Sequence, residues 1–187
     1  MPKLHVVFCS VREGRQGLPV AKWFLDKAVA HGKFECRLVD LEEVNLPLLD
    51  EPNHPMKRLY TKDHTKAWSA TVAEADAYAF VTPEYNYSMA PALLNALDFL
   101  YHEWSYKPCG FVSYGGVSGG LRSAQHAKSV MTSFKMMPIP EGVSLQFFAR
   151  SIDASGTFAP GDLHDQSVKS MLDELGRWSD ALVTLRS

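Results

Sequence analysis

Three stretches of the chain combine residue types that bind ligands. The first, Ser10-Val11-Arg12-Glu13-Gly14-Arg15-Gln16-Gly17, puts a hydroxyl, two guanidinium groups and two glycines close together. Arginine makes charge-assisted, often bidentate hydrogen bonds to phosphate, and glycine lets backbone N–H groups come close to an anion. The stretch lacks the GK[ST] of a triphosphate loop and the GxGxxG of a dinucleotide turn. It therefore reads either as a phosphate-wrapping loop built on Ser10, Arg12 and Arg15 or as a basic surface turn. The second stretch, Thr82-Pro83-Glu84-Tyr85-Asn86-Tyr87-Ser88, offers a flat apolar surface with amide hydrogen bonds beside it. That suits a planar heteroaromatic ring, or tyrosines packed on a neighbouring helix. The third, Ser113-Tyr114-Gly115-Gly116-Val117-Ser118-Gly119-Gly120, has glycines that let backbone pass close to a ligand, or simply move.

The first stretch carries a rival chemistry. Cys9-x5-Arg15 has the spacing of a cysteine phosphatase loop, where a thiolate attacks phosphorus while arginine and loop amides hold the oxyanion. It resembles the low-molecular-weight tyrosine phosphatases in that spacing. However, Gln16 stands where a hydroxyl residue would help the thiolate leave, and no Asp-Pro acid motif occurs. The plainer reading of Cys9 is a buried thiol ending a strand. The other cysteines, Cys36 and Cys109, are distant, and the histidines show no HxH, HxxxH or HExxH spacing, so no metal site is expected.

These stretches need elements to position them. Apolar, β-branched runs predict strands at Leu4–Cys9, Glu35–Asp40, Ala77–Thr82, Cys109–Ser113 and Val143–Phe147. Amphipathic spacing predicts helices at Leu18–Ala30, Thr65–Ala75, Pro91–Trp104, Leu121–Met136 and Leu163–Leu185, with Ser88 as a cap before Pro91. A Pro-rich excursion, Leu46–Pro55, leaves room for a second small substrate. The alternation predicts an α/β fold: a doubly wound, five-stranded parallel sheet in three α/β/α layers. In such a sheet ligands bind beyond the carboxyl ends of the strands, where all three stretches fall.

The whole chain, 187 residues, is expected to form one domain, 1–187. Basic residues number 19 and acidic ones 21, for a net charge of −2. That balance argues against nucleic acid held by bulk charge and against a strongly acidic electron carrier. No apolar run is long enough to span a membrane, and no cleavable signal is evident, so a soluble cytoplasmic protein is expected.

In these motifs the chain resembles the NADPH-dependent FMN reductase family. The resemblance rests on Ser10-x-Arg12, on TPEYNYSMAPALLNALDFL (Thr82–Leu100) and on GGVSGG (Gly115–Gly120). It implies a flavodoxin-like fold and a bound FMN reduced by NADPH or NADH, which passes hydride to a small acceptor such as a quinone, azo compound, metal oxyanion or free flavin. The phosphate would sit among Ser10, Arg12, Arg15, Gln16 and Gly17. The ring would lie on Pro83, Glu84, Tyr85 and Asn86, with Ser113, Gly115 and Gly116 at its other edge. Arg15 departs from the family's usual hydroxyl residue and is open to serving either the FMN or the NADPH phosphate. No catalytic side chain is required, because the cofactor carries the hydride chemistry. The family also implies a homodimer or homotetramer, to which the apolar face of Pro91–Trp104 is a candidate contributor. A non-enzymatic flavin-binding redox module is the remaining alternative.

Overall fold

The computed structural model describes residues 1–186. Five strands, β1 (Lys3–Phe8), β2 (Glu35–Asp40), β3 (Ala77–Pro83), β4 (Pro108–Gly115) and β5 (Met137–Gln146), form one parallel sheet in the order β2-β1-β3-β4-β5. The order reverses at β1, which makes the crevice between the β1 and β3 ends the expected ligand site. Helices α1 (Leu18–His31) and α6 (Asp162–Leu182) cover one face; α3 (Asp63–Glu74), α4 (Pro91–Asp98) and α5 (Leu121–Ser133) cover the other. A one-turn α2 (Leu41–Val44), not foreseen from the sequence, follows β2 and is capped by the Asp40 carboxylate, which accepts the Glu42 N–H.

The side chains of β1 alternate between the layers. Leu4, Val6 and Phe8 pack with α1 and α6 residues such as Phe24 and Leu172, whereas Val7 and Cys9 face Phe80, Leu93 and Leu97. Every residue of β3 is buried, as expected of a strand covered on both faces.

Three differences from the predicted elements have physical causes. The helix predicted over Pro91–Trp104 ends at Asp98, and a 3-10 turn at His102–Trp104 follows. Its final carbonyls take other partners: Trp68 Nε1 donates to Ala96 O at 2.9 Å, and Leu97 O accepts both Trp104 Nε1 and, in a tighter turn, the Leu100 N–H, each at 3.2 Å. Phe99, Leu100 and Trp104 thereby enter the core, leaving Leu94 as the helix's exposed large apolar residue. Ser88 does not cap this helix; Ala90 occupies the cap position, and Ser88 Oγ lies 2.7 Å from His126 Nδ1. β5 begins six residues before the predicted Val143, because Pro138 and Pro140 obscure its pattern. An edge strand tolerates prolines, and a register shift between Cys109 and Phe111 absorbs the irregularity. Likewise α5 stops at Ser133, before Lys135 turns the chain at φ 59°.

The Leu46–Pro55 excursion is tied down by side chains. Asn95 of α4 donates to Pro47 O and accepts the Leu49 N–H, while Glu51 accepts the Thr61 and Lys62 N–H groups ahead of α3. Burial opposes the charged form of Glu51, yet those hydrogen bonds prevail and hold its pKa down to about 2, from an ordinary 4.5. A depressed carboxylate stabilises the folded form above its ordinary value and loses that contribution as pH falls through the folded one. Acidification across this window should therefore release the excursion. Protection of the Thr61 and Lys62 amides, relative to the intrinsic rate at each pH, should fall there, and a Glu51→Gln variant should show reduced protection at neutral pH.

Candidate functional site

The carboxyl ends of β1, β3 and β4 lie in register, with Phe8 beside Val81 and Thr82 beside Ser113, so the three loops that follow them meet. Between them lies a cleft of about 290 Å³ lined by Ser10, Arg12, Arg15, Gln16, Pro83, Glu84, Tyr85 and Gly115. Asn86 lines an adjoining space of about 500 Å³, together with Val11, Ala90 and Pro91. This opens toward a third recess of about 430 Å³ bounded by Leu46, Leu48 and α4. The predicted room beside the excursion is thus present.

The loop after β1 forms a cup. Among the described residues, Arg15 N–H bonds back to Arg12 O at 3.0 Å, while the other backbone N–H groups from Ser10 to Leu18 find no partner. The cup leads into α1, whose N-terminal end favours negative charge. Arg12 is exposed, and its guanidinium meets no partner among the described residues. Arg15 differs sharply. Its guanidinium forks onto Asp40 at 2.5 and 2.7 Å, contacts Glu42, donates to Ser10 O at 2.8 Å and covers the Phe8 ring. Gly17 lies under the cup, where an added Cβ would sit 2.2 Å from Tyr114 Oη.

The loop after β3 presents the flat surface. Tyr85 and Ser88 exchange both backbone hydrogen bonds around Asn86 and Tyr87, each at positive φ (50° and 68°), which defines a type I′ turn. Tyr85 Oη lies 3.0 Å from the buried Ser10 hydroxyl, which links this shelf to the cup. Glu84 points into the loop after β4, accepting Ser118 Oγ at 2.8 Å and Arg122 Nε at 2.7 Å. Burial opposes its charge, but Ser118 and Arg122 hold its carboxyl below the usual range.

The loop after β4 is closed by its glycines. Gly119 and Gly120 have φ of 59° and 79°, and a Cβ on Gly120 would sit 2.6 Å from Tyr114 N. Ser113 does not face the cleft: its hydroxyl is buried and donates to Gly119 O at 2.9 Å. Gly116 is exposed and outside the cleft lining, its carbonyl accepting Gly119 N–H and Phe147 N–H.

Tyr114, Phe148 and Arg122 were not foreseen. Tyr114 and Phe148 close one end of the cup, with ring centroids 4.7 Å apart, and Arg122 covers the Tyr87 ring at 3.9 Å. Phe148 follows the carboxyl end of β5, a position that the topology rule singles out once β5 is placed.

Cys9 does not fit the phosphatase alternative. Its thiol is fully buried, donates to Val7 O at 3.3 Å, and faces Phe80 and α4 in the core rather than the cup. Burial, with Asp40 adding to it, pushes its pKa well up, away from the thiolate that attack requires. Thiol reagents should therefore leave Cys9 unlabelled in the folded protein and label it after denaturation. Cys9→Ser should change ligand affinity and turnover by no more than about twofold, well under 1.4 kcal/mol.

The residues 2–150 match the family model described as NADPH-dependent FMN reductase. An NAD(P)H-dependent FMN reductase of Schizosaccharomyces pombe is 42% identical over 141 residues, covering 74% of this chain and 70% of that protein. A second, from Nectria sp, is 36% identical over 192 residues, covering 99% of this chain and 94% of its own length. Among solved structures, the flavoenzyme NAD(P)H:(acceptor) oxidoreductase FerB of Paracoccus denitrificans superposes with a TM-score of 0.76 at 20% identity, over 97% of this chain and 98% of that one. The likeness to FerB supports the flavodoxin-like fold.

Proposed function

The chain belongs to the NADPH-dependent FMN reductase family, and from that premise we propose how its residues hold the cofactor and admit its reactants. The protein is an oxidoreductase that uses FMN and NAD(P)H to reduce a small acceptor. When bound, FMN supplies the hydride-accepting and hydride-donating chemistry, so the chain binds, orients and excludes water.

The residues fit this group. Among the described residues, the exposed Arg12 guanidinium has no partner and the backbone N–H groups of residues 10–14 and 16–18 are free; these are donors suited to one phosphate, and this carries the reading. Gln16 stands at the rim of the same cup. Pro83, Glu84, Tyr85 and Asn86 would bear the ring, with Gly115 opposite. At Gly115 a Cβ would come within 3.2 Å of Gly120 N, and its absence lets a ligand approach the backbone. Ser113 would then act behind the site, and it and the exposed Gly116 carbonyl would brace the glycine loop. The adjoining spaces beside Pro91 and Leu48 would take the nicotinamide and a small planar acceptor such as a quinone. The nearby leucines are mostly apolar surface, which favours a flat organic substrate over a metal oxyanion.

Purified protein should retain FMN through gel filtration and oxidise NADPH when a quinone is added. Protein that fails to quench FMN fluorescence would refute the reading.

Three coarser proposals accompany it. We place the protein in the cytoplasm, consistent with three free cysteines, and treat residues 1–187 as one cooperative unit. Cell fractionation and a single melting transition check these. We also propose a homo-oligomer. Most of the apolar face of residues 91–104 is spent on the core, so its support is the exposed Leu48, Leu49 and Leu94, of which Leu48 lines the recess beside the cleft. Light scattering that gives the mass of one chain would overturn it.

A further inference from the structure

The cup has a back wall, and it comes from another strand. Asp40 ends β2 and pairs in register with Phe8, the last residue of β1, so the loop leaving β1 passes directly beside it. Its buried carboxylate receives both guanidinium nitrogens of Arg15 while keeping the α2 cap from Glu42 N–H. Arg15 Nη1 additionally donates to Ser10 O, and Nη2 also meets Glu42.

Two consequences follow from elementary chemistry. Arg15 has its charge matched by two carboxylates, leaving the Arg15–Asp40–Glu42 group with a formal charge of −1. Such a group does not attract a phosphate. Because a trans peptide carries its C=O and N–H on opposite sides, fixing Ser10 O toward Arg15 also turns the Val11 N–H away from Arg15.

We propose that Arg15 and Asp40 are positioning residues, a clamp that holds the 10–17 loop against the end of β2 and pre-forms the cup, so that Arg12 meets the phosphate and Arg15 meets neither FMN nor NADPH. The proposal rests on the FMN reading above and adds to it which arginine does what. It contrasts with direct contact in the sign of one measurement. If Arg15 touched the phosphate, deleting the Asp40 charge would release its guanidinium and tighten FMN. If Arg15 is a clamp, the same deletion loosens the loop and weakens FMN.

Asp40→Asn is the informative variant, because asparagine preserves the helix cap while removing the charge. We expect it to weaken FMN about tenfold and riboflavin by less than about threefold. In flavin-free protein, amide exchange of residues 11–16 should accelerate while that of β1 and α1 stays unchanged. Arg15→Lys keeps the charge but loses the fork, and should move both readouts the same way. It also decides the matter should Asp40→Asn fail to fold. FMN affinity unchanged or improved in these variants, with loop exchange unaltered, overturns the clamp. Wild-type protein that binds FMN no better than riboflavin would instead overturn the phosphate cup itself, and the clamp with it.

Discussion

Arg12→Ala should weaken FMN binding by about tenfold to ten-thousandfold, because it removes one or two charge-assisted hydrogen bonds of roughly 1.5–3 kcal/mol each, at 1.4 kcal/mol per decade. Arg12 is exposed, so water takes its place in part, and the lower half of that range is expected. Riboflavin lacks the phosphate and should lose little. The difference between the two ligands isolates the contact, since a general disturbance of the cleft would weaken both. Melting temperature should stay near wild type, as the side chain has no partner among the described residues. Parallel titrations of FMN and riboflavin make the measurement, and equal losses would show that Arg12 does not hold the phosphate. Rising salt should weaken wild-type FMN binding more than that of the variant, because screening acts on the charge that alanine has removed.

Gly120→Ala is expected to be the most damaging single-methyl change in the molecule. Gly120 sits at φ 79°, and a Cβ there would lie 2.6 Å from Tyr114 N and 2.8 Å from Tyr114 O. Both obstacles are backbone within β4, so no rotamer change relieves them. A strained positive φ alone costs of order 1–3 kcal/mol, to which the clash adds. With roughly 2–4 °C per kcal/mol for a chain of this size, the melting temperature should fall by about 5–15 °C. FMN affinity should fall as well, because the loop that carries Gly115 must shift. Gly116→Ala is the control: nothing lies within 4 Å of its Cβ position, its φ is not in the left-handed region, and it should melt like wild type. Thermal denaturation of both variants decides the point, and similar melting of the two would contradict the geometry.

The parallel sheet and its layers were legible because β1, β3 and most of β4 are apolar runs followed by turn chemistry and then a 3.6-residue period. That logic weakens at β5. Pro138, Pro140 and Gly142 do not look like a strand, and an edge position with a register shift is what makes them one. With the start of β5 hidden, its carboxyl end also drew no attention, and Phe148 was missed from the cup. The candidate residues of the first two loops come together because residue type marks them in the sequence: all but Gly17 line one of two adjoining spaces. Their division of labour was not legible. Arg12 and Arg15 look equivalent in the sequence, and they separate only when the β1–β2 register brings Asp40, 25 positions after Arg15, to one of them. Ser113 misled for a related reason. It follows the right strand, but the closing of the glycine loop captures its hydroxyl.

The cleft is assembled from segments near residues 10–17, 83–92, 115 and 148, which are scattered over most of the chain. At a synthesis rate of roughly 5–20 residues per second, its last wall leaves the ribosome about 7–30 s after the first. If flavin binds in this cleft as proposed, nascent chain has no complete site, and loading follows the emergence of the segment near residue 148. Because the loaded form exists only in the native state, free FMN stabilises that state by mass action, about 2.7 kcal/mol at a hundred times its dissociation constant. Free flavin concentration should thus raise the melting temperature of this protein as well as its occupancy.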